Sequence, residues 1–368
     1  MNTTLANGRT LSAAQCWLLP VLLLLGFGLS FAIPQYNLVN KYIQLIIMYV
    51  GINIILTVSL NLVNGYMGEF SLAHAGFMAI GAYTAALLTM RVLPVVDYPW
   101  LFPLAVLTGG LMATLFSFLV AIPSFKIRGD YLAIITLAFL MIVKSVIENI
   151  DTLGGPRGIP GIRKLTTLPW TFFWTVLSVW VVRNFVYSNY GRGVLSIRED
   201  EIASDLMSVN TQRVKFLAFA LSAFFAGVAG ALFAHVLQFI SPRVFDIIKT
   251  TDILIMVYLG GIASIAGSIL GATLFTVLLE ILRPSNTAAL LSWLPDFIFD
   301  PLNEHFIQHL GIWRMIIMPL LLVLLMLYRP RGVMGLREFG WFIPRLDREA
   351  EGSSTVVPEK GHELARSQ

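Results

Sequence analysis

Between two strongly apolar runs the sequence reads Asn61-Leu62-Val63-Asn64-Gly65-Tyr66-Met67-Gly68-Glu69-Phe70-Ser71-Leu72-Ala73-His74-Ala75-Gly76-Phe77. Glycines and polar side chains are concentrated in this stretch. Lipid cannot satisfy free backbone N–H and C=O groups, so a helix breaks at membrane depth only against protein or a water-filled cavity. The stretch therefore indicates either a broken transmembrane helix or a cytoplasmic connection between two spans.

The composition is that of a membrane protein. The 368 residues are 57% hydrophobic and 12% charged, with a mean hydropathy of +0.78. Soluble domains carry about 25% charged residues, so a soluble enzyme, a disordered regulator and a nucleic-acid-binding domain all fit poorly. The net charge of +4 suits Lys and Arg on cytoplasmic loops rather than a nucleic-acid partner. The single cysteine, Cys16, excludes an internal disulfide and a multi-cysteine metal site.

The apolar runs predict an all-α polytopic fold. A helix needs about 20 apolar residues to cross the hydrocarbon layer. Runs with few or no charges predict spans at 17–33, 42–63, 70–90, 98–123, 131–150, 169–187, 216–240 and 313–328. The first of these runs is predicted to be a spanning helix rather than a cleaved signal peptide, because it lacks a small-residue cleavage site.

One further uncharged stretch, 253–279, is ambiguous. It contains Gly260-Gly261-Ile262-Ala263-Ser264-Ile265-Ala266-Gly267 and is either one long kinked helix or two shorter helices that meet at a turn. Two helices bring the number of spans to ten and place both termini in the cytoplasm, so we predict two. We also predict one transmembrane domain over residues 1–344 and, from its polar composition, a disordered cytoplasmic tail over 345–368.

A few ionisable residues are candidates for chemistry. Intramembrane ionisable groups are functional candidates by default, which applies to Glu69 and His74. The alternative is a solvated Glu69 and a His74 hydrogen-bonded in a helix interface. Lys144 and Glu148 lie four residues apart, on one helix face, and are predicted to pair near a span end.

The sequence contains no pattern typical of an enzyme. No second His or Cys stands at ligand spacing from His74, so no metal site is predicted. The phosphate-binding pattern G-x-x-x-x-G-K-[ST] does not occur, and no nucleophile, base and acid form a recognisable catalytic set. We therefore predict no catalytic residues, no nucleotide site and no cofactor in this chain.

The charged segment 189–212 lies between two predicted spans. Its core reads Gly191-Arg192-Gly193-Val194-Leu195-Ser196-Ile197-Arg198-Glu199-Asp200-Glu201-Ile202-Ala203-Ser204-Asp205-Leu206-Met207 and predicts an amphipathic helix. Ile197, Ile202 and Leu206 would form its apolar face. Such a helix either docks into a cytoplasmic partner and transmits force to the spans, or lies on the bilayer surface.

Several motifs, in order along about residues 40–340, resemble the permeases of branched-chain amino-acid ABC importers. They are Asn64-Gly65-Tyr66-Met67-Gly68-Glu69-Phe70-Ser71-Leu72-Ala73-His74-Ala75-Gly76-Phe77 with Gly81-Ala82-Tyr83; Arg128-Gly129-Asp130-Tyr131-Leu132-Ala133-Ile134 with Thr136-Leu137-Ala138-Phe139; Gly154-Gly155-Pro156-Arg157-Gly158-Ile159; Arg198-Glu199-Asp200-Glu201-Ile202-Ala203 with Asn210, Lys215 and Ala218-Phe219; Gly260-Gly261 through Gly271-Ala272; and Arg329-Pro330-Arg331-Gly332. The stretch Arg128-Gly129-Asp130-Tyr131 resembles the sequence of the larger of the two permease types in such importers. Ser208 departs from the family, which usually has glycine after the coupling helix.

The resemblance implies a permease subunit in the bacterial inner membrane that moves branched-chain or other neutral amino acids. Its partners would be a second homologous permease subunit, two ATPase subunits that bind ATP and Mg, and a periplasmic binding protein. Relatives also carry amides or urea, so the substrate stays open. The alternative class is a self-sufficient channel or an ion-coupled transporter.

The two Gly-rich breaks indicate the candidate residues of a substrate pathway, and the resemblance implies those of a coupling segment. Those of the substrate pathway are Asn64, Gly68, Glu69, Ser71, His74, Gly260, Gly261 and Ser264; those of the ATPase coupling segment are Arg198, Glu199, Glu201, Ile202, Ala203, Asp205 and Asn210. The two predicted breaks, Asn64–Ser71 and Gly260–Gly267, are expected near the middle of the membrane. Helix ends would offer partial charges there to a zwitterionic substrate. Replacing Gly68 or Gly261 with Leu is expected to block passage without preventing assembly.

Overall fold

The computed structural model describes residues 13–36, 39–92, 99–125, 131–207 and 209–283, and single positions between 316 and 332. This part of the chain is almost entirely helical. Its α-helices are α1 (Ala13–Gln35), α2 (Lys41–Asn61), α3 (His74–Leu87), α4 (Phe102–Ser124), α5 (Tyr131–Asn149), α6 (Leu168–Val186), α7 (Asn189–Glu199), α8 (Glu201–Leu206), α9 (Thr211–Leu237), α10 (Ile247–Gly260) and α11 (Ile265–Ile281). Short π-helical segments, Leu62–Met67 and Leu88–Val92, extend α2 and α3.

The helix lengths agree with an all-α membrane protein, as predicted. Among the described residues, five segments are long and apolar enough to cross a membrane: Lys41–Met67, His74–Val92, Phe102–Ser124, Tyr131–Asn149 and Thr211–Leu237. The predicted span 313–328 is described only at single positions, which are helical. Ser208 and the predicted tail 345–368 lie outside the described residues.

The structure changes the start of one predicted span and resolves the ambiguous stretch 253–279. The span predicted to begin at residue 70 begins at His74, because Gly68 adopts a φ of 75° and the chain is not helical again until His74. The stretch 253–279 is confirmed as two helices, α10 and α11, joined by a turn. With 14 residues and a rise of about 1.5 Å per residue, α10 is shorter than the hydrocarbon layer.

Helix α9 lies at the centre of the bundle and packs against α2, α3 and α4. The helices α3, α4 and α9 approach one another closely because glycines face each other. A Cβ on Gly81 would collide with the carbonyl of Gly227, and one on Gly109 would lie 2.9 Å from Gly81 O. Small residues in α9 therefore serve packing, since they let neighbouring backbones approach.

The structure distinguishes two ends of this bundle. The helices α7 and α8 precede the start of α9 and define the α7–α8 end. At the opposite end, after α9, the strands β1 (Ile159–Pro160) and β2 (Phe239–Ile240) pair antiparallel, with Ile159 opposite Ile240.

Candidate functional site

The side chain of Asn61, at the end of α2, forms several hydrogen bonds to the turn between α10 and α11. Asn61 Nδ2 donates to Ser264 O at 3.0 Å and to Ser268 Oγ at 2.7 Å. Asn61 Oδ1 accepts from the backbone N–H of Ala263 at 3.0 Å. Ala263 has a φ of 57°, which residues other than glycine rarely adopt. The hydrogen bond to Asn61 therefore stabilises an unfavourable backbone conformation.

The two predicted breaks lie against each other. A Cβ on Gly65, in the π-helical extension of α2, would collide with Asn61 Oδ1 and lie 2.6 Å from Ala263 N. Gly332, from the Arg-Pro-Arg-Gly motif, also reaches the turn, since its Cβ would lie 2.6 Å from Gly261 Cα. The structure thus brings three separate sequence motifs to one site.

The non-helical segment 68–73 is stabilised by side chains from other elements. The backbone N–H of Ser71 donates to Asn64 Oδ1 at 3.2 Å, and that of Leu72 donates to Thr136 Oγ1 at 3.0 Å. Thr250 Oγ1 donates to Leu72 O at 3.4 Å. The backbone N–H and C=O groups of a non-helical segment inside a membrane bundle need hydrogen-bond partners of this kind. Asn64 Nδ2 is buried and lacks a hydrogen-bond partner among the described residues, so it is available to a polar ligand.

The position of segment 68–73 corrects the expectation for the first break. Glu69 lies at the α7–α8 end, since its carboxylate pairs with Lys215 near the start of α9. Leu72 lies further into the bundle, between α5 and α10. The segment therefore runs from one end of the bundle toward its interior and does not lie wholly at half its height.

Two candidate glycines have backbone angles that a side chain disfavours. Gly68 has a φ of 75° and Gly261 a φ of 135°. A leucine at either position would strain the backbone whatever space surrounds it. Gly68→Leu and Gly261→Leu would therefore strain the backbone as well as narrow a passage, so a loss of uptake in these variants alone would not separate the two effects.

His74, the first residue of α3, is part of a helix interface. Its side chain is buried, and Nε2 lies 3.0 Å from Ser59 Oγ in α2. The hydroxyl of Ser222 in α9 donates to Ser59 O at 2.7 Å, so the three helices are linked at this level. In the described part of the chain, no group of His, Cys, Asp and Glu could hold a metal ion. The structure supports the packing interpretation of His74.

The predicted amphipathic helix is two helices, because Asp200 interrupts it. Asp200 has an extended backbone, and its carboxylate accepts hydrogen bonds from the N–H groups of Ile202 and Ala203. This N-cap ends α7 and begins α8. Asn210 caps α9 in the same way by accepting from Arg213 N, and Asp205 Oδ1 accepts from Thr211 Oγ1 at 2.8 Å.

The break divides the predicted apolar face. Ile197 of α7 is buried against the bundle. In contrast, Ile202 and Leu206 of α8 and the following Met207 are 62%, 81% and 79% exposed. Among the other predicted coupling residues, Glu199, Ala203, Asp205 and Asn210 are exposed and Arg198 is partly exposed. Met207 was absent from the residues assigned to coupling, although its position next to Leu206 in a charged segment could have suggested it.

The ion pairs that Lys215 and Lys144 form were not predicted. Lys215 Nζ lies 2.7 Å from Glu69 Oε1 and 2.9 Å from Glu201 Oε1. Lys144 pairs with Asp246 at 2.7 Å instead of Glu148. The prediction for Lys144 was wrong because a residue distant in sequence approaches it more closely than its neighbour on the same helix.

The chain was compared with known proteins. It matches the family described as "Branched-chain amino acid transport system / permease component" over residues 42–326. The chain belongs to this permease family. No solved structure matches the permease.

The relatives of the permease include proteins named LivM and LivH. It is 34% identical over 318 residues to the high-affinity branched-chain amino acid transport system permease protein LivM of Escherichia coli, covering 77% of this chain and 68% of LivM. The identity to LivM of Salmonella typhimurium is also 34% over 318 residues. The permease protein LivH of Escherichia coli is 23% identical over 245 residues, which cover 61% of this chain and 79% of LivH. The resemblance to the larger permease type is confirmed.

Proposed function

We propose that the permease is one of two transmembrane subunits of an importer for branched-chain or other neutral amino acids, driven by separate ATPase subunits. The observation that carries the proposal is the exposed apolar surface of Ile202, Leu206 and Met207 on a short charged helix at one end of the bundle. Large apolar side chains grouped in this way are typical of a protein interface. The family membership and the similarity to LivM favour this class of transporter.

The ATPase subunits would dock at α7 and α8. The apolar residues of α8 would fill a groove of the ATPase, and the exposed charges of Arg198, Glu199 and Asp205 would surround it. ATP and Mg would be bound by the ATPase subunits, since the sequence of this chain contains no phosphate-binding loop.

The remaining partners follow from the proposed orientation. The α7–α8 end, both termini and a tail from residue 345 would lie in the cytoplasm, with residues 1–344 as one transmembrane domain in the bacterial inner membrane. A homologous subunit, similar to LivH, would pair with this chain. A periplasmic binding protein would deliver substrate at the opposite end, where β1 and β2 lie.

The substrate pathway would pass the contact between the two breaks. Its proposed lining is Asn64, Gly68, Ser71, Gly260, Gly261 and Ser264, without His74, which packs in a helix interface, and without Glu69, which pairs with Lys215. A zwitterionic amino acid needs polar partners in the membrane, because burial of unpaired charges is costly. The N-terminus of α11 at Ser264 offers a partial positive charge to a carboxylate, and Asn64 Nδ2 offers a hydrogen-bond donor.

Reconstitution tests the proposal. The permease would be purified with its co-purifying subunits, placed in proteoliposomes, and supplied with a binding protein and radiolabelled leucine. ATP-dependent uptake of leucine is expected, with no uptake in vesicles given an ion gradient alone. Uptake without ATP would favour a channel or an ion-coupled transporter. ATP-dependent uptake of urea or an amide, with none of leucine, would overturn the proposed substrate class only.

A further inference from the structure

Lys215 joins two elements that are far apart in the sequence. Its side chain is only 5% exposed, and its ammonium lies 2.7 Å from Glu69 Oε1 and 2.9 Å from Glu201 Oε1. Glu69 belongs to the non-helical segment 68–73, and Glu201 is the first residue of α8. One cation therefore connects α8, through the start of α9, to the segment that runs into the bundle.

A second contact joins the same two regions. A Cβ on Gly68 would lie 3.0 Å from Arg198 Cγ, so the aliphatic stem of this α7 residue covers the backbone of the segment. The segment is thus held by α7 at Gly68 and by α8, through Lys215, at Glu69. At the other end of the segment, the backbone of Leu72 is hydrogen-bonded to Thr136 in α5 and to Thr250 in α10.

These contacts form a continuous connection from an exposed helix to the interior of the bundle. A displacement of α8 moves Glu201, which pulls on the enclosed ammonium of Lys215 and, through it, on Glu69. The ion pairs are short, and a buried charge resists losing either partner. Gly68, Glu69 and Ala73 hydrogen-bond to the flanking helices. Residues 70–72 between them are not helical, so this part of the segment moves without breaking a helix.

We propose that Lys215 is a positioning residue that transmits movement of α8 to segment 68–73 and thereby opens or closes the site at the two breaks. This inference rests on the proposed function, because it requires an ATPase that moves α8. Lys215 contacts neither substrate nor nucleotide in this proposal. Its effect is on the number of substrate molecules carried for each ATP hydrolysed.

The structure provides a matched control. Lys144 also places its ammonium 2.7 Å from a carboxylate, that of Asp246, and this partner belongs neither to α8 nor to segment 68–73. Lys144→Met therefore removes an ion pair of the same length, although a more exposed one, without interrupting the proposed connection. Lys215→Met removes the charge of Lys215 while keeping most of its apolar stem.

The experiment measures leucine uptake, ATP hydrolysis and thermal stability of the same reconstituted complexes. In the Lys215→Met complex we expect ATP hydrolysis to continue and uptake per ATP to fall by about tenfold, within the range typical of coupling between two sites. In the Lys144→Met complex, uptake per ATP is expected to equal that of the wild type. An unchanged ratio in Lys215→Met overturns the inference, and so does an equal fall in both variants.

A further variant covers the case in which Lys215→Met fails to assemble. The triple variant Lys215→Met, Glu69→Gln, Glu201→Gln leaves no carboxylate of this cluster without its cation. If the inference holds, the triple variant assembles but stays uncoupled, whereas normal uptake per ATP in it overturns the inference. A wild-type complex without ATP-dependent uptake would instead overturn the proposed function, whatever the variants do.

Discussion

Lys144 Nζ lies 2.7 Å from Asp246 Oδ2 and so joins α5 to the residue that precedes α10. The hydrogen bond from Lys144 holds the pKa of Asp246 below its usual value. Both side chains are about one-quarter exposed, so water weakens the attraction between them. The pair fixes the start of α10, which leads to the turn at Gly261.

Asp246→Asn is expected to lower the free energy of unfolding of the permease at neutral pH by about 1 kcal/mol or less, which is typical of partly exposed ion pairs. The native pKa of Asp246 is lowered, so its contribution is present above the unfolded pKa and is lost as the pH falls through the native one. The difference between wild type and variant, followed by thermal unfolding in detergent, should therefore shrink below about pH 4. Glu148→Gln is the control and should have no such effect, because Lys144 bonds to Asp246.

Asn61→Ala is expected to destabilise the turn between α10 and α11. It removes the hydrogen bonds of Asn61 to the N–H of Ala263 and to the carbonyl of Ser264, and a buried N–H left unsatisfied costs about 1–3 kcal/mol. Asn149→Ala is the control, since Asn149 is exposed and bonds only within its own helix, to Ser145 O. Thermal unfolding of the purified subunits would contradict the prediction if both variants melted alike.

Gly65→Ala is expected to separate the two breaks. The added methyl would collide with Asn61 Oδ1 and crowd Ala263 N, and overpacking a close contact typically costs about 1–3 kcal/mol. Gly28→Ala is the matched helix variant, because nothing lies within 4 Å of its Cβ position. Yield and melting temperature should fall for Gly65→Ala alone, and a stable Gly65→Ala protein would refute the close packing of these segments.

Ile202→Glu is expected to prevent binding of the ATPase subunits while leaving the permease folded. Ile202 is 62% exposed, so the charge is tolerated in the free subunit but would be buried without a partner in the complex. Co-purification of the ATPase, measured beside the melting temperature, checks this. Ile202→Val keeps an apolar side chain and should bind normally. Retention of the ATPase by Ile202→Glu would count against docking at α8.

The proposed orientation is checked by cysteine labelling after Cys16 is replaced with Ser. Arg157 and Glu199 are both exposed, and α6 lies between them in the chain. In intact cells, Arg157→Cys should react with a membrane-impermeant maleimide, and Glu199→Cys should react only after the membrane is opened. The opposite pattern would invert the orientation, and labelling of both from one side would mean that α6 does not cross.

Local sequence patterns were sufficient to predict the helices and the two breaks. Apolar runs locate α2, α4, α5 and α9, and the glycines of 260–267 locate the turn, because each effect depends on neighbouring residues. The division of α7 from α8 was missed, although Asp200 is a common N-cap residue. Here the capping hydrogen bonds outweigh the continuity of the amphipathic pattern.

The contacts between distant segments could not be read from one sequence. Lys215 is separated from Glu69 by 146 positions, and Asn61 from Ala263 by 202. Which polar groups meet depends on how the helices pack, and many pairings satisfy the same hydropathy pattern. The same limit explains why Glu148 was preferred to Asp246 as the partner of Lys144.

The glycine contacts among α3, α4 and α9 constrain how the permease changes shape. Where the backbones of Gly81, Gly109 and Gly227 touch, no layer of side chains lies between the helices to deform or slide. We therefore expect these three helices to rotate together as a rigid body during a transport cycle. The hinge would then be segment 68–73, which connects this body to α2 and whose backbone can rotate without the loss of a helical turn.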